Sequence, residues 1–265
     1  MCQEHAGAVE IDLRRGDCLR LLQGLADGCV DAVITDLPYG TTDLKWDRRL
    51  DLAAWWRAIA RVTKPTAIVC TFSAYPLTLE LIASNRRAFR YELVWEKPRS
   101  VGFLDANRRP LRAHEQILIF AKTYKGSTYN PQKTPGKPYR SAGGKACAHY
   151  RGKVRTPKVN AGDRHPRSVL RFDRDRDGWH PTQKPLALVE WLVRSYTNAG
   201  ELVLDPVMGS GTTGVAAVRN GRRFVGFERD RQYFAKAQIR IAGCRANVLP
   251  PLGLSTIDEH GAAGT

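Results

Sequence analysis

The hydrophobic positions of this chain fall into short continuous apolar runs and longer stretches with helical spacing. Short apolar runs bounded by turn residues indicate buried strands, whereas apolar residues that recur every three or four positions indicate helices. The strands predicted in this way are Val30–Thr35, Thr66–Phe72, Tyr91–Trp95, Gln116–Ala121, Leu202–Asp205 and Arg223–Phe227. The predicted helices are Leu50–Val62, Leu77–Ala83, Pro185–Tyr196, Thr212–Asn220 and Gln232–Gly243. Because strands and helices alternate, we predict an α/β fold with a parallel sheet that is covered on both faces.

The alternation stops between Lys122 and Gly178, where glycine, proline and basic residues replace the apolar runs. This segment contains 15 lysine and arginine residues and four acidic residues. A loop of this length inside a compact domain is usually either functional or disordered. We interpret it as a basic, loop-rich insert that contacts nucleic acid, and a disordered linker is the alternative.

Net charge supports a polyanionic partner for the whole chain. The 265 residues include 42 lysines and arginines against 26 acidic residues, a formal net charge of +16. Basic proteins bind nucleic acid because neutralising phosphates releases condensed counterions. A basic but merely solvated surface is the competing interpretation.

The cysteines and the apolar runs indicate the compartment. Six cysteines are scattered without a C-x-x-C pair, so we predict reduced thiols and no metal site. The N-terminus lacks the basic start and apolar run of a signal peptide. No stretch approaches the roughly 18 consecutive apolar residues of a membrane span. These features predict an intracellular, cytoplasmic protein without a membrane segment.

A glycine-rich turn follows the predicted strand Leu202–Asp205. Gly209, Gly211 and Gly214 form a G-x-G-x-x-G pattern that opens a helix, where backbone N–H groups can approach a ligand closely. This pattern also fits a dinucleotide-dependent oxidoreductase, and a purely structural turn is a third interpretation.

Two acidic residues near this turn favour a cationic cofactor. Asp205, followed by Pro206, would repel the diphosphate of NAD but would attract the methionine end of S-adenosylmethionine. Glu228 ends the next predicted strand, where a ribose-binding acid is expected.

The second candidate site is Asp36-Leu37-Pro38-Tyr39, directly after the strand Val30–Thr35. Ligands bind at the carboxyl ends of strands in such sheets. An acid, a proline and an aromatic residue there make a polar slot of the size of a nucleobase. A turn in which Asp36 accepts hydrogen bonds from nearby N–H groups is the alternative.

These segments together resemble the amino-group DNA methyltransferases. Asp36–Tyr39 resembles the D-P-P-Y motif, with Leu37 in place of the first proline, and Asp205–Thr213 resembles the cofactor motif D-P-F-x-G-S-G-T-T. The sequence His-Pro-Thr-Gln-Lys-Pro at 180–185 resembles a further family motif. Val94–Pro98 and Arg112–Lys122 are similar to weaker family segments.

The resemblance implies a Rossmann-like S-adenosylmethionine methyltransferase fold. The catalytic motif precedes the cofactor motif, as in the circularly permuted β group, in which the insert between them carries target recognition. It implies a catalytic half at 1–122, a target-recognition insert at 123–178, a cofactor-binding half at 179–247 and a flexible tail at 248–265.

The resemblance also assigns roles to residues. Catalysis is expected from Asp36, Leu37, Pro38 and Tyr39. Cofactor binding is expected from Asp17, His180, Thr182, Lys184, Asp205, Pro206, Gly209, Ser210, Gly211, Thr212 and Glu228. Lys184 as a solvated residue at a helix start, with Thr182 and Gln183 as caps, remains open.

The implied reaction is direct methyl transfer to a base that has left double-stranded DNA. Asp36 favours the N6 amino group of adenine, whereas cytosine-N4 enzymes more often carry serine there. A C5-cytosine enzyme is excluded because the chain has no Pro-Cys pair. Another amine acceptor in RNA or protein and a DNA-binding homologue without catalysis remain open. A homodimer is compatible with the resemblance, which identifies no restriction endonuclease partner.

Two further groups of residues lie near the candidate motifs. Trp55 and Trp56 lie in the predicted helix Leu50–Val62 and are predicted to be core residues, with base binding as the alternative. Asp43, Lys45, Trp46 and Asp47 follow the catalytic motif and either line the pocket or form a lid.

Overall fold

The structure is a computed structural model that describes residues 9–44, 47–146, 148, 151–175, 178–179 and 182–246. Its strands are β1 (Ile11–Arg15), β2 (Val30–Asp36), β3 (Thr63–Ser73), β4 (Phe89–Val101), β5 (Arg112–Ala121), β6 (Thr134–Pro135), β7 (Tyr139–Ser141), β8 (Lys158–Asn160), β9 (Asp163–Arg164), β10 (Val169–Arg171), β11 (Leu202–Asp205) and β12 (Arg223–Glu228). Its helices are α1 (Cys18–Leu22), α2 (Leu52–Val62), α3 (Leu77–Ser84), α4 (Leu186–Tyr196), α5 (Thr212–Arg219) and α6 (Arg231–Ala246). Every predicted strand and helix corresponds to one of these elements, although most of the observed elements extend further.

The main sheet is mixed, and the prediction of a parallel sheet was wrong at one strand. Its order is β1-β12-β11-β2-β3-β5-β4-β10. Among the described strands of this sheet, β5 alone runs opposite to the others, since it pairs antiparallel with both β3 and β4. Residues 102–111 join β4 to β5 without a crossover helix, and such a short connection can join only antiparallel neighbours.

Helices cover both faces of the sheet, as predicted. The helices α4, α5 and α6 pack on one face, where Leu192, Val215 and Ile241 contribute to a continuous apolar core. The other face packs against α1, α2 and α3, and both Trp55 and Trp56 are buried there. The prediction that these two tryptophans are core residues is confirmed.

The strand order creates a crevice between β2 and β11. These strands are neighbours, but α2 leads from β2 towards β3 while α5 leads from β11 towards β12 on the opposite face. Connections that diverge in this way leave a gap above the carboxyl ends of the two strands, where open α/β sheets bind ligands. Asp36 and Asp205 are the last residues of these strands and therefore face the same crevice.

The basic insert contains short strands that the sequence did not predict. Two antiparallel pairs, β6 with β9 and β7 with β8, form small separate sheets, and β10 adds to the edge of the main sheet beside β4. The side chain of Asn130 donates to the carbonyl oxygens of Arg194 and Thr197 at 3.2 and 3.1 Å, which ties the insert to the end of α4.

The predicted flexible tail, 248–265, lies outside the described residues. Within the described ranges, no helix combines the length and the apolar character that a membrane span requires.

We expect Gly214→Ala to destabilise the fold because α5 packs closely on its neighbours at this position. A Cβ atom at Gly214 would lie 2.4 Å from Ile241 Cδ1 and 2.7 Å from Phe224 Cε1. Overpacking of this kind costs about 1–3 kcal/mol, which outweighs the gain in helix propensity of roughly 1 kcal/mol. Urea unfolding should therefore show a lower free energy of unfolding for the variant.

The matched control is Gly243→Ala in α6. A Cβ atom there would meet no atom within 4 Å, so only the propensity gain remains and the free energy of unfolding should rise. Equal effects of the two substitutions would contradict the packing argument.

Candidate functional site

A cavity of about 390 Å³ opens at the carboxyl ends of β2 and β11. All four residues of the predicted catalytic motif line it. Of the residues predicted for the cofactor, the cavity wall contains Asp17, Thr182, Lys184, Pro206, Gly209, Ser210, Thr212 and Glu228. Asp205 and Gly211 lie directly behind this wall, and His180 lies outside the described residues. The fold thus brings both candidate motifs to one cavity.

The glycine turn between β11 and α5 needs glycine for its backbone conformation. Gly209 and Gly211 have φ angles of 53° and 79°, in the left-handed region that L side chains rarely adopt. A Cβ atom at Gly209 would meet nothing within 4 Å, so this part of the backbone faces open cavity. Behind it, Ser210 and Thr212 contact the buried guanidinium of Arg240, at 3.5 and 2.9 Å.

Asp205 lies beneath the turn as a buried carboxyl group. Its Oδ1 accepts hydrogen bonds from Thr35 Oγ1 at 2.8 Å and from the Val207 amide at 3.2 Å. Burial raises the pKa of Asp205 to about 7, although these hydrogen bonds act in the opposite direction. The group is therefore close to its titration midpoint at neutral pH.

Two further acids mark the rim of this half of the cavity. Glu228 accepts hydrogen bonds from the amides of Gly209 and Asp230 at 3.0 and 2.7 Å, and burial raises its pKa. Asp17 caps α1 by accepting a hydrogen bond from the Arg20 amide at 3.1 Å. Asp17 and Glu228 on the wall, with Asp205 behind it, suit a ligand that carries positive charge and hydroxyl groups.

Asp36 ends β2 with its two carboxylate oxygens in different environments. Oδ2 lies 2.6 Å from the ammonium of Lys184. Oδ1 is buried and has no hydrogen-bond partner among the described residues. Burial raises the pKa of Asp36, and the ammonium of Lys184 opposes that shift. One oxygen is thus held in an ion pair, while the other is a buried acceptor without a hydrogen-bond donor among the described residues.

A buried cluster of alternating charges extends from Asp36 away from the glycine turn. Lys184 Nζ also lies 3.2 Å from Glu115 Oε2, and Glu115 forms a second ion pair with Lys97. The hydroxyl of Tyr39 donates to Glu115 Oε2 at 3.4 Å. Burial lowers the pKa of Lys184, but the carboxylates of Asp36 and Glu115 raise it more, so Lys184 stays protonated. Two carboxylates and two ammonium groups thus compensate one another.

The environment of Lys184 differs from the sequence-based interpretation of a solvated residue. Lys184 is only 8% exposed, which excludes that interpretation. Thr182 and Gln183 do not cap the following helix. Pro185 occupies the cap position of α4, and the amide of Leu186 donates to Asp175 at 2.9 Å.

Asp47 holds the loop that follows the catalytic motif. Its carboxylate accepts hydrogen bonds from the amides of Gly40, Thr41 and Thr42 at 2.7, 2.9 and 2.8 Å. These bonds outweigh the effect of burial and lower the pKa of Asp47. Asp47 lines the cavity, whereas Asp43 is exposed, and Lys45 and Trp46 lie outside the described residues.

Sequence reasoning missed Glu115 and Lys97 as site residues. Both lie in the segments that resemble weaker family motifs, but neither was assigned to the site. The available signal was a charged residue within three positions of an apolar strand run, since Lys97 follows Val94–Trp95 and Glu115 precedes Ile117–Phe120.

We expect Asp205→Asn to change how stability depends on pH. Between the ordinary aspartate pKa of 3.8 and about 7, the unfolded chain has lost this proton but the folded protein retains it. Wild-type stability relative to the variant should therefore fall as pH rises through this window, by at most about 1.4 kcal/mol per pH unit. The asparagine side chain still has an oxygen that can accept the hydrogen bonds from Thr35 and the Val207 amide, but it does not titrate.

The measurement is the difference in unfolding free energy between the two proteins from pH 4 to pH 8. A difference that does not change with pH would show that Asp205 is ionised throughout.

Comparison with known proteins agrees with this arrangement. The type II methyltransferase M.BglII of Bacillus subtilis is 31% identical over 243 residues, which cover 82% of this chain and 65% of that protein. The chain thus spans 65% of the length of this curated relative.

Solved structures share the fold. The crystal structure of the M1.HpyAVI–SAM complex gives a TM-score of 0.62 at 24% identity, over 87% of this chain and 98% of that chain. The cytosine-N4-specific PvuII DNA methyltransferase gives 0.62 at 18% identity, over 90% and 92% of the two chains. These similarities confirm the predicted Rossmann-like methyltransferase fold.

The family model described as DNA methylase, which covers N6 and N4 enzymes, matches residues 30–239. This range includes the catalytic motif, the insert, the glycine turn and both partners of the Lys184 ion pairs. The match spans more than half of the sequence, and the chain therefore belongs to the DNA methylase family.

Proposed function

We propose that this protein transfers a methyl group from S-adenosylmethionine to the N6 amino group of adenine in double-stranded DNA. The observation that carries the proposal is the unpartnered Oδ1 of Asp36 in the same cavity as the glycine turn. A buried acceptor without a donor is costly, so a donor from a ligand is expected to satisfy it.

The residues that line the cavity around the glycine turn fit S-adenosylmethionine. The volume of about 390 Å³ lies in the range of small-molecule sites. Gly209 leaves backbone open to the ligand, and Glu228 and Asp17 supply acceptors for ribose and adenine groups. A positive charge above Asp205 favours the ionised form of this carboxyl group and opposes the increase in its pKa that burial causes. When bound, S-adenosylmethionine supplies an activated methyl group.

The part of the cavity around Asp36–Tyr39 fits a flipped base. Asp36 Oδ1 accepts a hydrogen bond from the exocyclic amino group, and the carbonyl group of Leu37 accepts a second. These acceptors stabilise positive charge that develops on the nitrogen, a contribution worth a few kcal/mol. Tyr39 provides the aromatic face for stacking, and its hydroxyl contact with Glu115 holds the ring.

Leu37 replaces the first proline of the motif without disturbing the motif's support. Its side chain is buried in the core that also contains Trp55 and Trp56. The buried Leu37 side chain thus anchors the catalytic segment to this core.

The first experiment is transfer of labelled methyl from S-adenosylmethionine to unmethylated duplex DNA, with separation of the product nucleosides. We expect label in N6-methyladenine. Label in N4-methylcytosine would retain the mechanism and overturn the adenine assignment. The same assay is run with RNA and with protein as the acceptor. Label in either of these, with none in DNA, would contradict the assignment of DNA as the substrate.

Asp36→Ala should reduce methyl transfer by several orders of magnitude while cofactor affinity changes little. The exposed Asp27→Ala is the matched control, because Asp27 precedes β2 at the opposite end of that strand and forms only a surface ion pair with Arg61. Calorimetric titration with S-adenosylmethionine reports folding and binding together. Loss of cofactor binding in Asp36→Ala would contradict the assigned role.

We also propose that the basic insert contacts DNA phosphates. Arg140 and Lys158 are exposed on the paired strands β7 and β8. The double variant Arg140→Ala/Lys158→Ala should weaken DNA binding and reduce the slope of log K against log salt by up to roughly 0.9 per lost phosphate contact.

The control pair is Arg86→Ala/Arg87→Ala, since these exposed arginines precede β4 at the edge of the sheet opposite the cavity. It removes the same charge and should leave the slope close to that of the wild type. Equal slopes for both double variants would contradict a phosphate-binding role for the insert.

A further inference from the structure

Two large apolar side chains are exposed in the hairpin loop, which we define as residues 102–111 between β4 and β5. Phe103 is 75% exposed and Leu104 is 88% exposed. Single exposed apolar residues are common, but two adjacent ones in a short loop are available to contact a partner.

This exposure belongs to an ordered loop. Phe103–Asp105 form a 3-10 turn, in which the Asp105 and Ala106 amides donate to the carbonyl oxygens of Gly102 and Phe103, both at 3.1 Å. The amide of Arg109 donates to the carbonyl oxygen of Asp105 at 3.0 Å, and the side chains of these two residues form an ion pair at 2.5 Å. The loop therefore presents Phe103 and Leu104 in a defined position.

The surroundings of the apolar pair are strongly basic. The segment from Arg99 to Arg112 contains four arginines and one acid, Asp105. Arg99, Arg108, Arg109 and Arg112 are all exposed. An apolar pair of side chains between arginines suits a partner with an apolar interior and an anionic surface.

The loop begins and ends at the wall of the catalytic cavity. Val101 and Arg112 are paired residues at the end of the β4–β5 ladder, and both line the cavity that contains Asp36 and Tyr39. The apolar pair thus extends from the cavity wall itself.

We propose that Phe103 and Leu104 form a wedge that enters the base stack of duplex DNA and occupies the space that the target base leaves. Apolar wedges partially unstack base steps at a cost of a few kcal/mol, and flanking cations offset that cost through phosphate contacts. Arg108 is exposed beside the apolar pair and is placed to make such a contact, whereas the Arg109 side chain is held in its ion pair with Asp105. The inference rests on the proposed function and adds how the base is extruded.

A second copy of this chain is the competing occupant. A stable protein interface buries roughly 800 Å² on each partner, far more than two side chains supply, and it disfavours a cluster of like charges. The four arginines therefore favour DNA.

The test compares two substrates that contain the adenine methylated by the wild type. In one the adenine is paired with thymine, and in the other it faces an abasic site, so extrusion costs less. Phe103→Ala/Leu104→Ala should methylate the paired substrate at least tenfold more slowly than the wild type. On the abasic substrate its rate should return to within about threefold of the wild-type rate.

Ile239→Ala is the matched control, because Ile239 is an exposed apolar residue on α6. It should behave as the wild type on both substrates. Cofactor affinity, measured for all three proteins, reports that the double variant is folded.

Three results for the double variant would contradict the wedge proposal. The first is a wild-type rate on paired DNA, and the second is an equal loss of rate on both substrates. The third is a monomer in sedimentation velocity where the wild type is a dimer. In each of them the wild type still methylates DNA, so the proposed function stands. A wild type that methylates no DNA removes the proposed function and the wedge together.

Discussion

The hydrogen bond from Thr35 to Asp205 joins two segments that are 170 residues apart in the chain. It forms because β2 and β11 are neighbours in the sheet, with Val203 and Leu204 opposite Ala32 and Val33. That pairing places β2 and β11 side by side, with the end of β2 extending about two residues beyond the end of β11. The cavity, the glycine turn and the position of Asp36 all depend on it.

The cavity wall is largely apolar, but it contains acidic residues near the glycine turn and the charge cluster around Lys184. Lys184, Glu115 and Lys97 are all buried, and isolated charges there would be costly. The alternation of acid and base makes the cluster neutral together with Asp36. Such a network contributes little net stability, but it fixes the orientation of the Asp36 carboxylate, whose Oδ1 has no hydrogen-bond donor among the described residues.

The antiparallel strand β5 connects the catalytic cavity with the molecular surface. It carries Glu115 within the charge cluster and begins at Arg112 on the cavity wall, beside the exposed hairpin loop. A crossover helix at this point would have covered the edge of the cavity. The hairpin instead leaves Phe103 and Leu104 exposed, and the same architecture therefore supports both the proposed base-binding cavity and the proposed DNA-contacting loop.

The sequence by itself determined the local features of this protein. Continuous apolar runs located the central strands, the glycine pattern located the turn after β11, and the charge balance located the basic insert, since each depends on neighbours along the chain. The tertiary structure alone decided the direction of β5, the contact of Lys184 with Asp36, the roles of Glu115 and Lys97, and the loop contacts of Asp47. Lys184 and Asp36 are 148 residues apart, and no local pattern records a partner at that distance. Their contact follows from the order of strands in the sheet, because burial leaves each charge stable only where the fold brings an opposite charge beside it.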